Sequence, residues 1–494
     1  MSERQSHSTR ADEALLKGQG YDQELQRGLT LWSSFSVGFA TVSPVVGIYA
    51  VMSLGAMNLG PAWVWIVPLC LALQLLVALV YAELASRYPL AGGCYQWVKH
   101  LAGERLAWFT GFMYLASALA SLSTVAYLGG FWLWLLITGD APSANAQVLC
   151  GAVLLALGLG VNLLGINPLK HFVNAGIIAE AIASIGIGVL LLVFFRHHPW
   201  SMLFEGLAAT SAEPGTWLPG FLTAMAVGGW AFLGFDACSQ VSEETADART
   251  STPRAILRSM ILVGLTVMLT AFAVTLSYGD IAGVVSGQVI DPVTPAVVEA
   301  FGPWAQQPFI AVVLVAFMAC VVSVQTYIGR AVFGMARDAI LPASAMLRRV
   351  DKRKVPVAAV VISTLLACLG LLLGLNATAA GTLIAFGSGG FYGVFLIVVC
   401  CALVARLKHP TPPEPGVFSL GRWGLLVNSV AFVWLLLETI NIAWPRASLA
   451  PADAPWFQVW AVILVFSSLA VIGLLYMAWA KPWQRTPQAT PSLC

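Results

Sequence analysis

The stretch that decides the fold is residues 29–82, LTLWSSFSVGFATVSPVVGIYAVMSLGAMNLGPAWVWIVPLCLALQLLVALVYA, which contains no charged residue. A helix needs roughly 20 apolar residues to cross the hydrocarbon core of a bilayer. This run is long enough for two, and Asn58-Leu59-Gly60-Pro61 marks the turn between them. The pattern recurs along all 494 residues, of which 59% are hydrophobic and 10% charged, with mean hydropathy +0.83. Soluble domains carry about 25% charged residues, so a soluble enzyme, a disordered chain, a collagen-like chain and a small disulfide scaffold are all excluded. The net charge of +2 gives no reason to expect a nucleic-acid partner.

The expected fold is therefore an all-α polytopic membrane protein. Twelve spans are read near 29–53, 61–86, 105–137, 145–165, 168–195, 217–243, 255–279, 305–336, 356–374, 381–405, 421–443 and 456–480. With the N-terminus placed in the cytosol, the only extramembrane Lys or Arg on the far side are Arg196 and Arg446, of 25 in the chain. That asymmetry is the positive-inside rule, and it supports both the number of spans and a cytosolic position for both termini in a cell membrane. Residues 1–28 form a polar tail rather than a cleavable signal, because the apolar run comes late and no small-residue cleavage site precedes it. Residues 481–494 form a short Pro-rich tail, expected to be disordered.

Enzymatic chemistry has little to stand on. The six histidines fall in tails, loops or span ends, and there is no H-E-x-x-H, P-loop or G-x-S-x-G pattern. No metal site and no cofactor are expected. The nine cysteines lie mostly inside spans and read as small apolar residues.

The informative features are interruptions and buried acids. In the first span, Ser43-Pro44-Val45-Val46-Gly47 removes a backbone donor at mid-depth. Ser before Pro is also a helix-start pattern, with Ser as N-cap and Pro in the first turn. The span reads either as two half-helices or as a simple proline kink. In the sixth span, Trp230-Ala231-Phe232-Leu233-Gly234-Phe235-Asp236 places a glycine and then an acid in an apolar run. Asp236 is read as an N-cap, as a charge facing a water-filled cavity, or as both. Interruptions in corresponding spans of two halves point to a transporter built from inverted repeats. A half-helix starting at mid-depth offers free N–H groups to a carboxylate, and one ending there offers carbonyls to an ammonium. The donors expected here are Val46, Gly47 and Ile48, and the carbonyls those of Ala40, Thr41, Ala231 and Phe232, so a zwitterion or an amine suits the pair.

Glu180 lies near the middle of the fifth span, where an acid costs at least about 2.5 kcal/mol on insertion scales. It reads as a protonated acid bonded to a neighbouring helix, a proton-coupling acid or a cation site. Glu438 lies nearer the far end of its span and is expected to snorkel to the surface. Glu83, Glu243 and Glu244 sit near the cytosolic face, where they are expected to pair with loop cations such as Arg87 or Arg249 as gate or anchor contacts.

Tyr81-Ala82-Glu83-Leu84-Ala85-Ser86-Arg87-Tyr88-Pro89, with Ala91-Gly92-Gly93 and Tyr95, resembles a signature of the amino acid–polyamine–organocation superfamily. Gly234-Phe235-Asp236, Glu243-Glu244-Thr245 and Pro253-Arg254-Ala255-Ile256 resemble its sixth-span signature. Gly329-Arg330, Met335-Ala336-Arg337-Asp338 and Leu341-Pro342 resemble the end of its eighth span. The amino acid/choline transporter branch is the most similar. The resemblance implies a five-plus-five inverted repeat of the LeuT-like kind over residues 29–405, with two further spans in 406–480. It implies a secondary transporter working by alternating access, with an amino acid or related small amine held at the two breaks. Trp230 stands where related exchangers cap the substrate, and Gly234 belongs to the same break. Asp236 stands where some relatives couple a proton. Glu180 takes a place comparable to a titratable lysine of other members, and Arg330 joins the cytosolic gate. Many permeases carry Gly-Ser-Gly at the first break, whereas this chain has Val45-Val46-Gly47, which keeps a polyamine- or choline-type organocation open as substrate. Ser323, Gln325 and Thr326 provide no adjacent Ser/Thr pair, which leans away from sodium and towards H+. The rival classes are a channel, disfavoured by the lack of a repeated polar ring, and a substrate-sensing receptor. The oligomeric state is not readable from the sequence.

Overall fold

The computed structural model describes residues 12–205, 217–289, 291–408, 417–446 and 454–485, except for the side chains of 50, 377–386 and 388. Twelve helical segments are long and apolar enough to cross a membrane. The first span is two helices, Leu31–Val42 and Pro44–Leu59, followed by spans Ile66–Arg87, Glu104–Thr138, Ala144–Leu163 and Ile166–Phe194. The sixth, Trp217–Gln240, is interrupted, and the later spans are Ala248–Ser277, Gln306–Arg337, Val357–Leu371, Ala377–Lys408, Gly424–Ala443 and Ala461–Ala480. The spans read from the apolar runs are all present, within a few residues at most ends. The Pro44–Leu59 helix runs about one and a half turns beyond the end expected for the first span.

Local chemistry sets the ends of these helices. Thr30 caps the first by accepting from the Ser33 amide, and Ser143 caps the fourth span by accepting from Ala146. Gly139 closes the third span in the left-handed region, where a Cβ would be strained. Among the described residues the only β-bridge is parallel, between Leu29 and Thr245. Exposed tryptophans stand near span ends, among them Trp200, Trp304, Trp423, Trp444 and Trp479, as expected of rings seated at membrane interfaces.

The buried core is formed largely by the first, second, third, sixth, seventh, eighth and tenth spans. The twelfth span is peripheral and turns Ile472, Leu474 and Leu475 outward. An even number of spans brings both ends of the described chain to one face, where the Arg105 guanidinium lies 5.2 Å over the Trp483 ring. Most of the tail expected to be disordered lies outside the described residues, as do residues 1–11.

Candidate functional site

The first span breaks rather than kinks. Ser43 adopts φ 49°, a left-handed conformation uncommon for a residue with a Cβ. Its hydroxyl accepts from the Val46 amide at 3.2 Å, and Pro44 occupies the first turn where no donor is needed. The Ser43 amide closes the preceding helix on Phe39 O at 2.9 Å. The sixth span unwinds through a 3₁₀ turn, Gly229–Phe232, an extended Leu233 and Gly234 at φ 93°. Only a short helix, Ala237–Gln240, follows before the chain turns again.

The two breaks abut. A Cβ on Gly47 would stand 3.3 Å from the Ala231 Cβ, and one on Gly234 would stand 2.7 Å from Thr41 Cγ2. Gly234 thus needs glycine both for the close approach and for its dihedral, while Gly47 leaves little room for a Cβ. Between the breaks lies a cavity of about 20 Å³, room for about one water. Of the residues expected at the site, Thr41, Val46, Trp230 and Gly234 line it. Ala40, Gly47, Ile48, Ala231 and Phe232 do not line it; all but Gly47 are 1% exposed or less. Sequence reading missed Ser121, Tyr327 and Phe391, which complete the walls from the third, eighth and tenth spans. The Trp230 ring packs against Gly387, whose Cβ would come within 3.1 Å of it.

Glu180 reaches the first break. Its Oε2 accepts from the Val45 amide at 2.9 Å, and its Oε1 accepts from the Ser43 hydroxyl. The N-terminus of the Pro44–Leu59 helix is thus occupied by a carboxylate of the chain itself. Of the expected donors, Val46 is satisfied by Ser43 Oγ and Gly47 by Ser43 O at 2.8 Å. The fifth-span helix widens to a π-turn over Ala181–Gly186, directly after Glu180, an irregularity frequent at functional sites. Asp236 stands in the N-cap position, but its side chain caps no amide. Its Oδ2 accepts instead from the Tyr114 hydroxyl at 2.6 Å, and its buried Oδ1 has no partner. The side chain thus bonds across to the third span rather than capping its own turn.

Gln325 and Thr326 face away from the breaks, bonding to Leu155 O and Thr364 and to Asn162 respectively, while Ser323 Oγ is buried without a partner. The described residues contain no group of His, Cys, Asp and Glu placed to hold a metal.

On the face carrying the termini, acids and arginines interlock. Glu244 takes Arg330 at 2.9 and 3.0 Å, and Glu243 takes Arg337 at 2.7 and 3.0 Å while also accepting from the Ala91 amide. Glu83 pairs with Arg87 at 3.2 Å and with Arg406. The partners of Glu243 and Glu244 therefore come from the eighth span, not from a loop. Leu29 and Gly28 donate their amides to Glu244 O. Asp338 gathers Lys99 at 2.6 Å, the Tyr95 hydroxyl at 2.7 Å and the Tyr21 hydroxyl at 2.9 Å, and the Arg337 guanidinium lies 4.0 Å over the Tyr21 ring. Burial opposes the Lys99 charge, but Asp338 and Tyr21 more than offset it and hold its ammonium above the ordinary lysine value.

Two broken helices thus meet at a small internal cavity within a twelve-span bundle. Residues 29–479 match the family model described as amino acid permease, and the chain belongs to that family, within the amino acid–polyamine–organocation superfamily. It is 26% identical to amino-acid permease BAT1 of Arabidopsis thaliana, over 93% of this chain and 92% of that one. It is also 26% identical to the BAT1 homolog of Oryza sativa (96% and 95%), and 23% identical to a Candida albicans protein described as a polyamine transporter (98% and 90%). The chain is a multi-pass membrane protein whose relatives are transporters of amino acids or amines.

Proposed function

We propose that the protein is a secondary transporter that carries an amino acid or related small amine across a cell membrane by alternating access, driven by H+ or by exchange, with both termini in the cytosol. The observation that carries this reading is the Glu180 carboxylate on Ser43 and Val45, at the point where the first span is interrupted. The start of a half-helix carries about half a positive charge, which favours an anion there by up to about 2 kcal/mol in partly buried geometry. Protonating Glu180 removes that attraction and frees the Val45 amide. A substrate carboxylate reaching the same amides competes with Glu180 and favours its protonation, so proton and substrate bind together. The buried pairs of Glu243 and Glu244 close the cytosolic side, and the 20 Å³ cavity is that of a closed state. Asp236, held by Tyr114 behind the aromatic wall, is a second proton carrier in this scheme.

The test is uptake of radiolabelled amino acids by the reconstituted protein. Uptake should saturate and be accelerated by an inward proton gradient or by counter-substrate inside. Indifference to both gradients would refute the coupling, and conductance without saturation would favour a channel.

A second reading, a carboxylate-free organocation as substrate, is favoured by one observation. Both leading amides of the first break are already partnered within the chain, while the aromatic residues Trp230, Tyr327 and Phe391 line the cavity. Aromatic faces attract ammonium groups. A thermal-shift comparison of neutral amino acids with polyamines and choline separates the two readings, because only the true ligand class stabilises the fold.

A further inference from the structure

Glu438, on the eleventh span, does not snorkel. It is 3% exposed and turned into the bundle, because a hydrogen-bonded chain holds it there. Its Oε2 accepts from Asn441 Nδ2 at 3.1 Å, and its Oε1 is buried without a partner. The same Asn441 nitrogen donates at 2.9 Å to Leu222 O, in the Trp217–Gly228 half of the sixth span. Arg446, half-buried at the face opposite the termini, donates to Asn441 O at 2.5 Å and to Asn441 Oδ1. A guanidinium only donates, so Arg446 fixes the amide with its oxygen outward and its nitrogen inward. Both N–H groups are then committed, one to Glu438 and one to Leu222.

The other neighbours complete the setting. Trp434 donates from Nε1 to Gln74 Oε1 at 3.1 Å and meets the Tyr392 ring edge-on at 6.3 Å. The Tyr392 hydroxyl donates to Gly229 O at 3.4 Å, one residue before Trp230. The titratable or charged groups facing Glu438 are Cys70 on the second span, Tyr392 on the tenth and Arg446. The Trp217–Gly228 helix has none. The eleventh span thus grips the half of the sixth span that leads into the break.

We propose that Glu438 is a proton-binding carboxyl and a positioning residue for the Trp217–Gly228 half-helix. In its ionised form it accepts a charge-assisted bond, about twice as strong as a neutral one, and holds the Asn441 amide across to Leu222. Protonation from the face opposite the termini weakens that bond and lets the half-helix part from the eleventh span. Its meaning for transport rests on the transporter reading above, while the tether itself does not.

The test follows hydrogen–deuterium exchange of residues 217–228 in bilayer nanodiscs, corrected for intrinsic amide exchange, between about pH 8 and about pH 5. Exchange in the native protein should rise about threefold on acidification, as expected for exchanging a charge-assisted hydrogen bond for a neutral one. Glu438→Gln should abolish that response, and Asn441→Leu should leave exchange high at every pH. A response that survives in either variant overturns the proposal, and the two variants together guard against one failing to fold. Proteoliposome uptake run in parallel should show a KM whose dependence on pH at that face is lost in Glu438→Gln. Absence of any uptake by the native protein would refute the transporter reading, while the exchange data would still decide the tether.

Discussion

The Glu180 Oε2 lies 2.9 Å from the Val45 amide nitrogen, so a carboxylate from the fifth span occupies the start of the half-helix that follows the break in the first. That contact joins the two features that matter most in the chain, a backbone interruption and an acid at membrane depth. It gives the acid a physical reason to be there: the free donors at a helix start satisfy a buried anion, and the anion satisfies donors that would otherwise be orphaned.

Replacing Glu180 with Gln keeps an acceptor for Val45 and a partner for Ser43 but removes the charge that a proton would neutralise. Uptake by Glu180→Gln should lose its stimulation by an inward proton gradient while exchange of internal for external substrate persists. Glu180→Ala should in addition lower stability by about 1–3 kcal/mol, since it leaves the buried Val45 donor unsatisfied. Uptake at several imposed gradients, with melting temperatures in detergent, checks both. Proton-driven uptake that survives in Glu180→Gln would shift the coupling role to Asp236, and Asp236→Asn would then be expected to flatten the pH profile.

Gly234→Ala tests the meeting of the breaks. The substitution places a Cβ 2.7 Å from Thr41 Cγ2 at φ 93°. The left-handed conformation alone costs about 1–2 kcal/mol for a residue with a Cβ, and the contact adds to it. Transport should fall steeply and the melting temperature should drop. Gly18→Ala, whose Cβ would meet nothing within 4 Å, should leave stability within about 0.5 kcal/mol.

How much of this was legible in the sequence depends on the range of the interaction. The spans were, because length and apolarity are local properties and the Lys and Arg asymmetry is a global one that needs no contacts. The Ser43–Pro44 interruption was, because an N-cap next to a proline acts within one turn, but the choice between a break and a kink was open and is made by the structure. The walls supplied by Tyr327 and Phe391 were not, since an aromatic residue in an apolar run looks the same whether it faces lipid, core or cavity. Val46 and Gly47 illustrate a second limit: an amide is free at a helix start only if nothing in the chain reaches it, and here the Ser43 hydroxyl takes Val46, the Ser43 carbonyl takes Gly47 and Glu180 takes Val45. Glu438 fails the snorkelling rule for the same kind of reason, because Asn441, itself bonded to Leu222 O, gives its carboxyl a partner within the bundle.

The network of ion pairs on the termini face makes a prediction of opposite character, one of pH indifference. Lys99 has its ammonium held above the ordinary value by Asp338 and Tyr21. A group with a raised pKa contributes stability that is complete below its unfolded value, about 10.4, and is lost only as pH rises through the folded value. The Lys99–Asp338 contact should therefore be intact throughout pH 5 to about 9. Lys99→Met should lower the melting temperature by the same amount at about pH 6 and about pH 8. A loss confined to one end of that range would show that another titrating group shares the site.

Arg337→Ala should be strongly destabilising on that face. The Arg337 side chain joins Glu243 through two hydrogen bonds and covers the Tyr21 ring. Removing one member of a buried pair leaves the other charged and uncompensated, which costs about 3–5 kcal/mol. Tyr21→Phe removes the hydroxyl contacts with Asp338, Gln96 and Lys99 and keeps the ring under Arg337, and should cost about 1 kcal/mol. If this network holds the face carrying the termini closed, both variants should also raise labelling of a cysteine introduced at Ser121 by a membrane-impermeant thiol reagent applied from that face, with Arg337→Ala the larger. Labelling that stays at the native level in a folded Arg337→Ala protein would show that the ion pairs anchor the helices without gating the cavity.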